Sequence, residues 1–98
     1  PGGKRQATLV ESDLGIESAA VKLDTVKPAY ERDGIVLRLY EYRGGSAQAK
    51  ISIPKGYKHA YRCRMTEEIL EPLDFADTLS LQFEAHQIIT VLITREAQ

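Results

Sequence analysis

The chain has 98 residues and a mass of 11.0 kDa, which is enough for one modest core but excludes a deep catalytic cleft between two lobes. Its net charge of -1 comes from 13 basic and 14 acidic residues and lacks the basic surplus of a nucleic-acid binder. The longest nearly apolar run, Ile88 to Ile93, is far shorter than the ~20 residues that span a bilayer, so we expect neither a nucleic-acid nor a membrane partner.

The first part of the chain predicts a linker followed by two strands. The sequence begins Pro1-Gly2-Gly3, and we expect residues 1–6 to be a linker in a piece of a longer protein. Ala7 to Glu11 is a first predicted strand, and Val21 to Val26 is a second. Pro28 is expected to end the second strand or to confine it to a sheet edge, because proline cannot donate to the ladder.

The middle of the chain alternates apolar and polar residues between turn signals. Asp33-Gly34 predicts a turn, in which glycine can take a positive φ at no steric cost, and Ile35 to Tyr42 is the strongest predicted strand. Gly44-Gly45 predicts a hairpin that joins this strand to the next one, Ala47 to Ile53. Pro54-Lys55-Gly56 then turns the chain into a strand from Tyr57 to Met65.

The last third predicts one helical turn and two strands. Thr66 to Glu71 is expected to form a helical turn near residues 67–71, with Thr66 as its cap and Pro72 as its stop. Thr78 to Phe83 and Ile88 to Thr94 are the closing strands, and the last is apolar on both faces, which indicates either a central strand covered on two sides or a strand covered by a neighbouring domain. About seven strands at this spacing predict an all-β fold, an antiparallel β-sandwich of immunoglobulin-like size, with residues 7–95 as a single domain.

A search for chemistry yields no catalytic residue and no metal ligand set. On a strand His59 and Cys63 would stand roughly 13 Å apart, too far to share one ion. The cluster Glu67, Glu68 and Glu71 is interpreted as a solvated surface. Cys63, the only cysteine, is expected to be a small buried apolar group, and the lack of a disulfide framework favours a reducing, cytoplasmic location.

Arg38, Tyr40 and Tyr42 share one face of the strongest strand. Tyrosines beside an arginine can stack on a sugar ring or pack into a partner domain. The other interpretation is that this face is a second buried layer of the sandwich itself, or that the aromatic rings only cover their neighbours.

Three segments carry a resemblance to a known family. Asp33 to Glu41 resembles the D-G-x-V-x-R-L-Y-E segment near the carboxyl end of family 38 glycoside hydrolases, the class II α-mannosidases. Val21 to Pro28 is similar to a strand of the same family, and Ile88 and Thr90 fall where its closing motif has Ile and Thr. The chain departs from that motif at Ala85 to Gln87, where Pro, Phe and Glu are usual, and at Ile89 and Leu92.

The resemblance implies that the parent protein is a zinc-dependent retaining α-mannosidase whose catalytic residues and zinc lie in another domain. It implies that this chain is a carboxyl-terminal β-sandwich that packs on the rest of the enzyme, without a cofactor of its own and without activity. The residues expected to make domain-packing or sugar contacts are Arg38, Tyr40, Glu41 and Tyr42.

Two alternatives remain open from the sequence. A carbohydrate-binding module would stack mannosides on Tyr40, Tyr42, Tyr57 or Tyr61, although the chain has no tryptophan for this purpose. A stand-alone interaction domain would instead expose one sheet to a second copy and form a homo-oligomer.

Overall fold

The computed structural model describes residues 14–98, and these form eight strands in two antiparallel sheets. A three-stranded sheet has the order β1-β4-β7, and a five-stranded sheet has the order β2-β3-β8-β5-β6. The predicted all-β sandwich is confirmed. The strands are β1 Ile16–Glu17, β2 Val21–Pro28, β3 Gly34–Glu41, β4 Ala47–Ser52, β5 His59–Cys63, β6 Ile69–Leu73, β7 Thr78–Phe83 and β8 Ile88–Thr94.

The main core lies between the two sheets. Alternate residues of each strand point inward, as in β7, where Leu79, Leu81 and Phe83 are buried and the residues between them are exposed. Leu37 and Leu39 of β3 face them from the five-stranded sheet, and neither is accessible to solvent. This alternation follows directly from the period-two pattern of the sequence.

β8 is the central strand of the five-stranded sheet and is covered on both faces, as its sequence predicts. Val91 and Ile93 belong to the main core, whereas Leu92 belongs to a second cluster on the outer face. In that cluster Leu92 packs with Val36, Tyr61 and Cys63. One of the two faces is therefore covered by the opposite sheet and the other by side chains and loops of the same sheet.

The predicted helical turn at residues 67–71 is wrong. Ile69–Leu73 is strand β6, which pairs with β5, and Glu67 stands in a tight turn with a positive φ of 73°. Pro72 fits because β6 is an edge strand, where one missing N–H need not break a ladder on the outer side. Pro28, at the end of β2 on the opposite edge of the same sheet, follows the rule that the sequence predicted.

The predicted hairpin at Gly44-Gly45 is wrong, whereas the turn before β3 is found without the glycine conformation that was expected. Gly44-Gly45 does not join paired strands, because β3 lies in the five-stranded sheet, whereas β4 pairs with β1 and β7 in the three-stranded sheet. Gly34 begins β3 without a positive φ, and the left-handed residue of the loop before it is Glu31, with φ 56°. Glycine is needed at position 34 for close approach, since a Cβ there would lie 2.7 Å from the carbonyl oxygen of Ile93.

The predicted strand Ala7 to Glu11 and the linker at 1–6 lie outside the described residues. Within residues 14–98, no helix is long and apolar enough to cross a membrane.

Candidate functional site

The candidate site lies at the end of β3 and comprises Arg38 to Glu41 of the strand and Tyr42, the residue directly after it. Cross-strand pairing places Arg38 opposite Thr90 and Tyr40 opposite Ile88, on the outer face of the five-stranded sheet. Arg38 and Tyr40 are half-buried, whereas Tyr42 and Ile88 are exposed. The row predicted from the sequence is therefore an outer row of side chains that no other sheet covers.

Tyr42 is held in place by three contacts within the domain. Its hydroxyl donates a hydrogen bond of 2.8 Å to the carbonyl oxygen of Ala19. The Lys22 ammonium lies 4.8 Å from the centroid of the Tyr42 ring, which is a cation–π distance. The Tyr40 ring packs edge-on against the Tyr42 ring, with the two ring centroids 6.4 Å apart. The two tyrosines form a fixed aromatic pair at the sheet surface.

Arg38 is only weakly paired. Its Nη1 lies 3.6 Å from the Oδ2 of Asp24, and both side chains are partly exposed, so this ion pair adds little stability. The buried Nε of Arg38 has no hydrogen-bond partner among residues 14–98. The terminal Nη groups of this side chain, which is 28% exposed, retain donor capacity for an acceptor supplied from outside the domain.

Glu41 points away from this row and is fully buried. Its carboxylate accepts hydrogen bonds from three backbone N–H groups: Arg43 at 2.9 Å, Gly44 at 2.8 Å and His86 at 2.8 Å. These bonds, led by the one from His86, lower the pKa of Glu41 to about 2, against the opposing effect of burial. The charged carboxylate therefore binds main-chain N–H groups from two loops.

Glu41 thereby joins the β3–β4 loop to the β7–β8 turn. The backbone N–H of Glu41 adds a bond of 3.0 Å to the carbonyl oxygen of Gln87. His86 takes a left-handed φ of 59° and Gly44 one of 87°, and a Cβ at Gly44 would lie 3.1 Å from the His86 Nε2. The donors are main-chain N–H groups, which every residue type except proline supplies, so the Ala85-His86-Gln87 sequence is compatible with these bonds.

The remaining tyrosines that the sequence proposed for sugar stacking also contact their own domain. The Arg95 guanidinium lies 4.7 Å from the Tyr57 ring centroid. Tyr61 is buried, and its hydroxyl accepts a hydrogen bond of 2.8 Å from the backbone N–H of Gln98. Together with the contacts of Tyr42, these interactions occupy ring faces or hydroxyls that a sugar would need.

The three glutamates of the acidic cluster, Glu67, Glu68 and Glu71, differ in burial. Glu67 is buried and its Oε1 accepts a hydrogen bond of 2.8 Å from the backbone N–H of Tyr30, a contact that the sequence did not reveal. Glu68 lies 3.3 Å from Arg64 on the surface, and Glu71 is exposed on β6. Only Glu68 and Glu71 match the solvated surface that was predicted.

The two candidate zinc ligands stand at opposite ends of β5, His59 opposite Thr94 and Cys63 opposite Thr90. Burial, assisted by the Glu67 carboxylate, raises the pKa of the Cys63 thiol, so Cys63 is the buried apolar group that was expected. Residues 14–98 contain no group of three or more His, Cys, Asp or Glu side chains that could hold a metal ion.

The fold is an antiparallel two-sheet β-sandwich in which the buried Glu41 carboxylate joins two loops. Residues 20–91 match the family model described as the glycosyl hydrolases family 38 C-terminal beta sandwich domain. The match covers well over half of the chain, so the chain belongs to this family and is a domain of a glycosyl hydrolase, as its resemblance indicated. No curated protein matches the chain.

Proposed function

We propose that this chain is the carboxyl-terminal accessory domain of a zinc-dependent retaining α-mannosidase, packed on the catalytic domains and not catalytic by itself. The observation that carries the proposal is the uncovered outer row Arg38, Tyr40 and Tyr42 beside the exposed Ile88. Aromatic and arginine side chains are the types enriched where two protein surfaces meet.

The Glu41 clamp supports the same role. A docking surface requires a fixed shape, since ordering side chains and loops on contact costs binding free energy. The Glu41 carboxylate fixes two loops at the end of β3 through its hydrogen bonds, and the Tyr42 hydroxyl is hydrogen-bonded to the carbonyl oxygen of Ala19. In this proposal Arg38, Tyr40 and Tyr42 contact the neighbouring domain, and Glu41 positions the loops beside them.

The zinc of this proposal belongs to the catalytic domains of the parent protein. The described residues of this chain offer no matching ligand set, so no chemical step is assigned to them. The proposal includes a cytoplasmic location, because a chain with one cysteine forms no internal disulfide and a reducing compartment suits it.

Sugar binding is the less favoured assignment. The contacts of Tyr42, Tyr57 and Tyr61 with Lys22, Arg95 and Gln98 use groups that stacking on a sugar would require. Titration with mannose oligosaccharides, followed by amide chemical shifts, separates the two functions. Localised shifts at these tyrosines would favour a binding module.

The test of the proposed function uses the isolated 98-residue chain and the full-length protein. We expect the full-length protein to hydrolyse an aryl α-mannoside and to contain zinc, and the isolated chain to do neither. Stoichiometric zinc or mannoside hydrolysis in the isolated chain would overturn the proposal.

A further inference from the structure

Three exposed apolar side chains meet at one cavity beside the outer row. Met65, Leu70 and Ile88 are 58%, 48% and 53% exposed, and all three line a cavity of about 380 Å³. The buried side chains Cys63 and Thr90 also line it. Large apolar side chains gathered around a cavity are typical of an interaction site.

The charged residues of the same cavity are all basic. Arg62 and Arg64 line it, and no Asp or Glu does. Arg64 is paired with Glu68 at 3.3 Å, but both side chains are more than half exposed, and Arg62 makes no ion pair within residues 14–98. Guanidinium groups only donate hydrogen bonds, so an occupant that complements this cavity carries oxygen acceptors, best supplied by carboxylates.

The cavity is continuous with the row already described. Ile88 lies opposite Tyr40 and Thr90 lies opposite Arg38, on the same face of the sheet. The size of the cavity also limits its occupant. A volume of about 380 Å³ accepts one or two side chains, whereas a stable interface between free proteins involves about 20–30 residues on each side. A tethered partner, which has a high effective concentration, needs less contact.

We propose that this cavity receives an apolar side chain flanked by carboxylates from the amino-terminal part of the same polypeptide. The inference rests on the proposed function, because it assumes that the domain packs on the rest of its parent. It adds the docking point, which is the Met65–Leu70–Ile88 cavity, and the chemistry of the partner, which is an acidic segment with an apolar anchor.

The experiment measures cysteine accessibility in the full-length protein. Ile88→Cys places a thiol in the cavity, and Ser80→Cys places one on the exposed outer face of the three-stranded sheet. Maleimide labelling is followed at each position by peptide mass spectrometry, and the buried Cys63 of the same domain reports whether the fold is intact. We expect position 88 to react about tenfold or more slowly than position 80.

Each pattern of labelling has one meaning. Rapid labelling at 88 with slow labelling at 80 would overturn this inference and the outer row as the docking surface, since the domain would dock through its other sheet, but the accessory role of the domain would stand. Rapid labelling at both positions would overturn the inference and count against the proposed function. If position 88 labels slowly only at protein concentrations where the protein is a dimer, and rapidly after dilution to monomer, the occupant is a second copy and the inference is overturned.

A second variant tests the charge of the occupant. In the Ile88→Cys background, Arg64→Glu is expected to raise the labelling rate at position 88 several-fold, because it would repel carboxylates. Lys50→Glu is the matched control, an exposed charge reversal on β4 of the other sheet. Equal labelling rates at position 88 in the Arg64→Glu and Lys50→Glu variants would overturn the inference that the occupant is acidic.

Discussion

The backbone N–H of His86 donates a 2.8 Å hydrogen bond to the carboxylate of Glu41, a residue 45 positions earlier in the chain. This contact joins the end of β3 to the β7–β8 turn, and the N–H groups of Arg43 and Gly44 complete the set of donors. A buried carboxylate with three main-chain donors stabilises loops because hydrogen bonds to a charged acceptor are stronger than bonds between neutral groups.

Glu41→Gln tests this clamp. The amide keeps the size of the side chain but removes the charge and replaces one acceptor oxygen with a donor, so we expect the melting temperature of the isolated chain to fall by several degrees. Glu84→Gln is the matched control, because Glu84 is exposed in the same β7–β8 turn. Equal melting curves for the two variants, measured by circular dichroism, would contradict the clamp.

The clamp also predicts a pH dependence. The pKa of Glu41 is lowered from 4.5 to about 2 in the folded chain, so its contribution to stability is fully present above pH 4.5 and is lost as the pH falls towards 2. The difference in free energy of unfolding between wild type and Glu41→Gln should therefore shrink across this window. Urea denaturation from pH 2 to pH 7 measures it, and a constant difference would show that Glu41 does not titrate as described.

The sequence predicts the strands better than the loops. β7 and β8 are found at the predicted residues, and β3 differs from its prediction only at its ends, because buried alternation is a strong local signal. β6 was missed because Pro72 resembles a helix stop, whereas its tolerance depends on the edge position, which is set by pairing with distant residues.

The same reasoning applies to the site. The two-residue alternation of a strand predicts that Arg38, Tyr40 and Tyr42 share one face, but it does not predict the hydrogen-bond partners of Glu41. These partners are backbone N–H groups, which nearly every residue type has, so the sequence does not reveal which of them bind Glu41. The close approach at Gly34 is likewise invisible, because it depends on the carbonyl oxygen of Ile93 in a neighbouring strand.

Gly34→Ala tests that close approach. The added methyl group would lie 2.7 Å from the Ile93 carbonyl oxygen and 2.8 Å from the Thr94 Cγ2, so we expect a loss of about 1–3 kcal/mol in the free energy of unfolding. Gly45→Ala is the control, since a Cβ there meets nothing within 4 Å. Its stability should be unchanged or slightly raised. Urea denaturation compares the two variants, and a loss at Gly45 as large as that at Gly34 would refute the steric explanation.

A pair of leucines tests the placement of the core. Leu39 is fully buried between the sheets, whereas Leu70 is 48% exposed on β6. In the isolated chain Leu39→Ala should cost about 3–4 kcal/mol of unfolding free energy, and Leu70→Ala about 0.5 kcal/mol or less. A comparable cost at the two positions, measured by urea denaturation, would mean that the inner and outer faces are misassigned.

The central claim is that this sandwich stabilises the hydrolase by packing on it and takes no part in the chemistry. The most direct measurement compares the full-length protein with a form that lacks residues 20–98, by thermal inactivation of aryl α-mannoside hydrolysis. The account predicts that the shortened form loses activity at a lower temperature but keeps its turnover number when assayed well below that temperature. An unchanged inactivation temperature, or a turnover number that disappears while the shortened protein remains folded, would contradict it.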